Sequence, residues 1–107
     1  MPTYNKLIRD LIPQALEETG KSFEIDILSD EEYHSELRKK LQEETEEYLN
    51  AEDEESAVEE LADLLELVNV LAEQHGYSIE EVEKARKEKS EKRGSFYDKL
   101  FLFNVED

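Results

Sequence analysis

The chain contains no cysteine among its 107 residues. This absence excludes a disulfide framework, a thiolate metal site and a cysteine nucleophile. The first 30 residues hold no apolar segment of the kind found in signal peptides, and no apolar run approaches the length that spans a bilayer. We therefore expect a cytoplasmic protein that does not act in a membrane.

Basic residues are also scarce. Lys and Arg number 13 against 30 Asp and Glu, which gives a formal net charge of −17. This charge disfavours a nucleic acid or an anionic membrane as a partner, because both are negatively charged. High charge can also indicate disorder, but Leu, Ile, Val and Phe make up about a quarter of the chain and recur with helical periodicity. We expect one folded domain over residues 1–107.

The most informative acidic residues form two pairs with a spacing of three: Glu44 with Glu47, and Glu60 with Asp63. Residues three apart lie on one face of an α-helix, so each pair offers two carboxylates in one direction. Two such helices packed antiparallel would bring four carboxylates together. Their mutual repulsion in a partly buried site calls for a divalent cation, and all-oxygen ligation suits Mg²⁺, with Mn²⁺ as the alternative.

Register distinguishes these carboxylates from ordinary surface charge, which is the alternative in so acidic a chain. Leu37, Glu44 and Tyr48 fall on one stripe of the first long helix, so Glu44 lies among apolar positions. Glu47 lies at the margin of the stripe, whereas Glu46 points the opposite way. An ionised carboxylate that faces a core is costly unless it is paired or metal-bound. We therefore favour a metal site.

The second long helix, residues 53–75, carries Glu60 and Asp63 on a face different from its main apolar stripe. From Leu64 onward this helix is apolar nearly all round, so we expect it to be covered on two sides. So small a chain has too few other elements to provide that cover. We therefore predict a homo-oligomer, either a homodimer or a dimer of dimers.

Local signals define the remaining elements. Ser29 and Ser78 each precede a glutamate by three residues, which predicts the start of the first long helix and of a third helix that ends at Gly94. Residues 23–28 alternate apolar and polar side chains, the period of a half-buried strand, and residues 99–105 are rich in β-forming residues that could pair with them. The predicted fold class is mainly α: an antiparallel helical bundle with a small two-stranded β annex.

Four basic residues have helical spacings that favour contact with phosphate. They are Lys6 and Arg9, three apart, and Lys89 and Arg93, four apart. Salt bridges to the surplus of acidic residues are the alternative. A metal–carboxylate site that holds a polyphosphate needs a positive outer shell, so we predict that these four bind substrate phosphates.

One acidic pattern resembles the signature of the MazG-like all-α nucleoside triphosphate pyrophosphatases: Glu43-Glu44-x-x-Glu47, then twelve residues, then Glu60-x-x-Asp63. Two flanking blocks, residues 4–13 and 89–96, are similar to a small single-domain branch of that superfamily. The superfamily also holds the dimeric dUTPases and phosphoribosyl-ATP pyrophosphohydrolase. The resemblance covers essentially the whole chain.

The resemblance implies hydrolysis of a nucleoside triphosphate to monophosphate and pyrophosphate, with Mg²⁺ held by the four paired carboxylates. Glu43 lies beside that set but outside its register and would orient water, so the catalytic set is Glu43, Glu44 and Glu47. The main expectation is house-cleaning of non-standard nucleotides. The alternatives are a metabolic phosphoribosyl-ATP pyrophosphohydrolase and a non-catalytic acidic helical module that binds a metal or a protein. No base-recognition motif distinguishes among nucleotides.

Overall fold

The computed structural model describes residues 2–107, which contain four α-helices. They are α1 (Ile12–Glu18), α2 (Asp30–Leu49), α3 (Glu54–Gln74) and α4 (Ile79–Arg93). Residues 50–53 join α2 to α3, which pack along each other as an antiparallel hairpin, and α3 also contacts α4. The mainly α architecture is therefore confirmed. No helix in the described range has both the length and the apolar content needed to cross a bilayer.

Side-chain caps set where the three longer helices begin. Ser29 and Ser78 each accept a hydrogen bond from the backbone N–H three residues on, and the glutamate at that position accepts one from the serine N–H, as predicted. Asp53 caps α3 by accepting a hydrogen bond of 2.7 Å from the Ser56 N–H. Gly94, at φ +77°, ends α4 in a conformation that most side chains disfavour.

The predicted two-stranded β annex is wrong, because residues 23–28 and 99–105 form no strand in the described part of the chain. Alternation produces a stable strand only when its apolar side chains have a surface to pack against and its backbone has partners. Ile27 is 93% exposed and Phe103 is 86% exposed. Neither segment therefore finds that surface within a single chain.

The buried core of the chain is small. Among residues 2–107 only Leu37, Ala72 and Glu44 are buried. The radius of gyration is 18.4 Å, against about 13 Å for a compact domain of this length. Apolar side chains of the hairpin, Leu49 and Leu65 among them, remain largely exposed. The single chain thus leaves apolar surface that a compact monomer would bury.

Candidate metal centre

The hairpin gathers the predicted carboxylates around Glu44. Potential ligand atoms of Glu44, Glu60 and Asp63 lie within 4.8 Å of one another, and so do those of Glu43, Glu44 and Glu47. The antiparallel packing of α2 against α3 places the second acidic pair beside the first. We call these five residues the carboxylate cluster.

Two oxygens of the carboxylate cluster are buried without a hydrogen-bond partner, Glu44 Oε2 and Glu60 Oε2. Glu44 as a whole is 8% exposed. A buried ionised group without a partner is costly, because it has lost its hydration and gained nothing in return. A hard divalent cation takes carboxylate oxygens as ligands. The donor set therefore fits Mg²⁺ or Mn²⁺.

Crowding within the carboxylate cluster changes its acidity. Burial is the main cause that raises the pKa of Glu44, and the adjacent Glu60 carboxylate and the charge of Asp63 raise it further. The pKa of Glu47 is raised chiefly by the adjacent Glu44 carboxylate. In the metal-free protein these two carboxyl groups thus hold protons more tightly than isolated glutamates, and a metal has to displace those protons.

Two basic side chains partly neutralise the carboxylate cluster. Arg9 donates from Nη2 to Asp63 Oδ1 at 2.7 Å. Lys40 Nζ lies 3.5 Å from Glu43 Oε1 and 3.7 Å from Glu44 Oε1. Lys40 is not among the residues predicted from the sequence, although its position three and four residues before those glutamates on one helix is a usable signal. The contact between Arg9 and Asp63 has no such signal, because the two residues are 54 positions apart.

The four predicted phosphate-binding residues fall in different places. Arg9 contacts the carboxylate cluster, and Lys6 lines a pocket beside it, with Nζ 5.6 Å from the centre of the Tyr4 ring. Lys89 and Arg93 lie exposed on α4 and contribute neither to that pocket nor to an ion pair with the cluster. Within the described chain, the structure thus brings Lys6 and Arg9 to the site but not the pair on α4.

An all-α chain that gathers these five carboxylates on an antiparallel helical hairpin has the architecture of the MazG-like nucleoside triphosphate pyrophosphatases. The chain belongs to the phosphoribosyl-ATP pyrophosphohydrolase family (PRA-PH), whose profile matches residues 4–90. The matched range includes the carboxylate cluster with Lys6, Arg9 and Lys89, and it ends before Arg93. No curated protein and no solved structure matches the chain significantly.

Membership of this family identifies the chain, at the level of enzyme class, as a pyrophosphohydrolase that acts on phosphoric anhydride bonds. The family description favours the alternative activity, hydrolysis of phosphoribosyl-ATP, over the main expectation, hydrolysis of non-standard nucleotides.

Proposed function

We propose that this chain hydrolyses the bond between the α and β phosphates of phosphoribosyl-ATP and releases pyrophosphate, with Mg²⁺ as its cofactor. The observation that carries the proposal is the pair of buried, unpartnered carboxylate oxygens of Glu44 and Glu60. A helical hairpin gains no stability from such a pair, because like charges in a partly buried site repel each other. Their placement is instead suited to a cation bound with a polyphosphate.

In this proposal the cation is held by four residues: Glu44, Glu47, Glu60 and Asp63. When bound, it neutralises charge on the triphosphate and makes water a better nucleophile. The hairpin itself fixes the ligands, because two come from α2 and two from α3. Glu43, half-buried at the edge of the cluster, would accept a hydrogen bond from the attacking water and hold it in line with the α phosphorus.

The phosphates that the cation does not hold need basic partners. Arg9 already lies against the carboxylate cluster, and Lys6 lies in the adjacent pocket. A guanidinium group binds phosphate through paired N–H donors, and an ammonium group binds it as a compact charge. Both residues are therefore assigned to substrate phosphates.

A second candidate function is hydrolysis of free nucleoside triphosphates, the house-cleaning activity expected from the sequence. The pocket next to the carboxylate cluster supports this second function, because charged side chains make up most of the pocket's lining. Such a lining binds phosphate but does not discriminate among bases.

The decisive experiment measures pyrophosphate release with Mg²⁺ from phosphoribosyl-ATP, ATP and a panel of standard and non-standard nucleoside triphosphates. The proposal expects phosphoribosyl-ATP to have the highest kcat/KM, and a chelator to stop the reaction. Faster turnover of a non-standard triphosphate would replace it with house-cleaning. If the protein binds Mg²⁺ but releases pyrophosphate from none of these compounds, the result supports the alternative of a non-catalytic acidic module.

We also propose that the chain assembles as a homodimer or a dimer of dimers. The exposed apolar side chains of the hairpin and the radius of gyration of 18.4 Å support this, since a second copy would cover that surface. Lys89 and Arg93 form no ion pair with the carboxylate cluster of their own chain among the described residues, and we assign them to the cluster of a second copy. A stable monomer in sedimentation at micromolar concentration would rule out the assembly.

A further inference from the structure

A pocket of about 320 Å³ lies between the N-terminal segment and α2, next to the carboxylate cluster. Its polar lining includes Tyr4, Asn5 and Lys6 from the N-terminal segment, and Lys39, Lys40 and Glu43 from α2. This volume is at the lower end of the range for small-molecule sites. It suits a phosphate group with a sugar attached better than a whole nucleotide.

The charge of this pocket is opposite to that of the chain. The chain has a formal net charge of −17, yet three lysines line the pocket against two glutamates, Glu36 and Glu43. Lys39 is paired with Glu36 at 3.1 Å. The pocket thus retains a surplus of positive charge directly beside the most acidic place in the hairpin, as expected where an anion is bound near a cation.

Lys40 belongs to both places. It lines the pocket, and its Nζ lies 3.5 Å from Glu43 and 3.7 Å from Glu44 of the carboxylate cluster. Its side chain is only 19% exposed, so its ammonium group has few water molecules to compensate for a lost partner. A cation that neutralises Glu44 in place of Lys40 therefore leaves the ammonium group of Lys40 available to a ligand in the pocket.

We propose that the pocket binds a phosphate group of the substrate, and that Lys40 couples this binding to occupation of the carboxylate cluster by Mg²⁺. Lys40 neutralises Glu43 and Glu44 in the metal-free protein and turns to the substrate phosphate once Mg²⁺ has taken over that role. The inference rests on the proposed function, because it assigns a further phosphate subsite to the same reaction. Lys40 thus joins the four basic residues predicted from the sequence as a further substrate-binding residue.

The coupling is reciprocal. If Mg²⁺ strengthens the binding of a phosphate in the pocket, that phosphate must strengthen the binding of Mg²⁺ by the same factor. Without the lysine, phosphate and metal would act on each other only by direct attraction across the site. The effect of Lys40 is therefore measurable as a change in coupling, separate from any change in catalytic rate.

Two residues of the N-terminal segment position Lys6 at the opposite wall of the pocket. Asn5 has φ +45°, a left-handed conformation that asparagine tolerates better than most residues. Tyr4 presents its ring 5.6 Å from Lys6 Nζ, a distance at which the ring face attracts the cation. Lys6 and Lys40 can therefore both contribute to binding a phosphate in this pocket.

The experiment is isothermal titration of the full chain with ribose 5-phosphate, without Mg²⁺ and with saturating Mg²⁺. Wild type is expected to bind ribose 5-phosphate at least about fivefold more tightly with Mg²⁺, the lower limit of typical coupling between sites. Lys40→Gln should lose most of this factor. Lys40→Arg, which keeps the charge, should retain it, and circular dichroism checks that the helices are intact in each variant.

Arg38→Gln is the matched control, because it removes one positive charge from the same helix at an exposed position outside the pocket. It should keep the wild-type coupling. The inference is overturned if wild type binds no ribose 5-phosphate, if Mg²⁺ leaves its Kd unchanged, or if Lys40→Gln couples as wild type does. Hydrolysis is not measured, so these outcomes are independent of whether phosphoribosyl-ATP is turned over.

A competition with α,β-methylene-ATP, which resists cleavage at the scissile bond, identifies the source of the phosphate. Simultaneous binding with ribose 5-phosphate assigns the pocket to the phosphate of the phosphoribosyl group. Mutual exclusion assigns it to a phosphate of the triphosphate chain. Either result supports the subsite, provided that the coupling depends on Lys40.

Discussion

Arg9 donates a hydrogen bond of 2.7 Å to Asp63, and this contact ties the N-terminal segment to a carboxylate 54 residues further along the chain. The two side chains are 62% and 38% exposed. An ion pair this open to water contributes at most about 1 kcal/mol. The contact therefore yields readily to a stronger ligand of Asp63, and Arg9 is then available for phosphate.

Arg9→Gln is expected to strengthen Mg²⁺ binding in the absence of nucleotide by less than about fivefold, because it removes a competitor worth at most about 1 kcal/mol. It should also raise KM for the nucleotide, since Arg9 is assigned to phosphate. Titration with Mg²⁺ and steady-state kinetics measure the two effects. Arg86→Gln, which breaks the exposed pair with Glu83 on α4, should change neither. Weaker Mg²⁺ binding in Arg9→Gln would contradict the proposed competition.

Glu44→Gln should lower turnover by more than about 100-fold, because loss of a metal ligand should exceed the 10- to 100-fold effect of outer-shell partners. Without Mg²⁺ the variant should melt at or above the wild-type temperature, since one buried charge is removed from a crowded site. Mg²⁺ should stabilise wild type by about 2.7 kcal/mol at a concentration 100 times its Kd, and the variant should lose most of this. Thermal melts with and without Mg²⁺ measure both quantities.

Glu46→Gln is the control for this variant. Glu46 lies exposed on the same helix and outside the carboxylate cluster. It should keep wild-type turnover and the wild-type response to Mg²⁺. Full activity in Glu44→Gln would show that the carboxylate cluster is not the active site.

The metal-free protein should become less stable as the pH rises above 4.5. The folded-state pKa values of Glu44 and Glu47 lie above the ordinary value of 4.5, so the folded protein binds more protons than the unfolded chain. Their contribution to stability is fully present below pH 4.5 and is lost as the pH rises through the raised values. Glu44→Gln should flatten this dependence of the melting temperature on pH.

Asp53 does not obscure that measurement. Its hydrogen bond from Ser56 lowers its pKa below the ordinary 3.8. Its contribution is therefore present above pH 3.8 and is lost only as the pH falls through the lowered value. The two effects occupy separate pH windows, so a melting temperature that rises with pH above 4.5 would contradict the assignment to Glu44.

Lys89→Ala or Arg93→Ala should raise KM for the nucleotide by about 10- to 100-fold, the effect of losing a hydrogen bond to a charged group. Mg²⁺ binding should remain unchanged, because the expected partners of these residues are phosphate oxygens. Kinetics and Mg²⁺ titration separate the two. Lys87→Ala, an exposed residue of the same helix, serves as control. An unchanged KM in both variants would show that Lys89 and Arg93 are ordinary solvated surface residues that do not bind substrate.

The sequence predicts those parts of the structure that depend on local interactions. Ser29 and Ser78 begin their helices because a capping box involves only neighbouring residues. The burial of Glu44 follows from its register among apolar positions of α2. The contact of Arg9 with Asp63 joins distant segments, and no periodic pattern encodes it.

The strand predicted at residues 99–105 is wrong for a different reason. The composition of the segment favours β structure and burial of its apolar side chains, but it does not show which surface would cover them. Leu100 and Phe103 remain exposed in the single chain, so that surface is not supplied within it. Such a composition predicts a strand correctly only where a partner strand and a covering surface are present.

The exposed apolar segment after Gly94 has a consequence for how the protein responds to ionic strength. Phe96, Leu100 and Phe103 are each more than four-fifths exposed, on a chain with a net charge of −17. Repulsion between such chains opposes contact through these side chains, and dissolved salt shortens its range to about 8 Å at physiological concentration. Association of chains through this segment would therefore become tighter as salt is added, the opposite of a complex held by ion pairs.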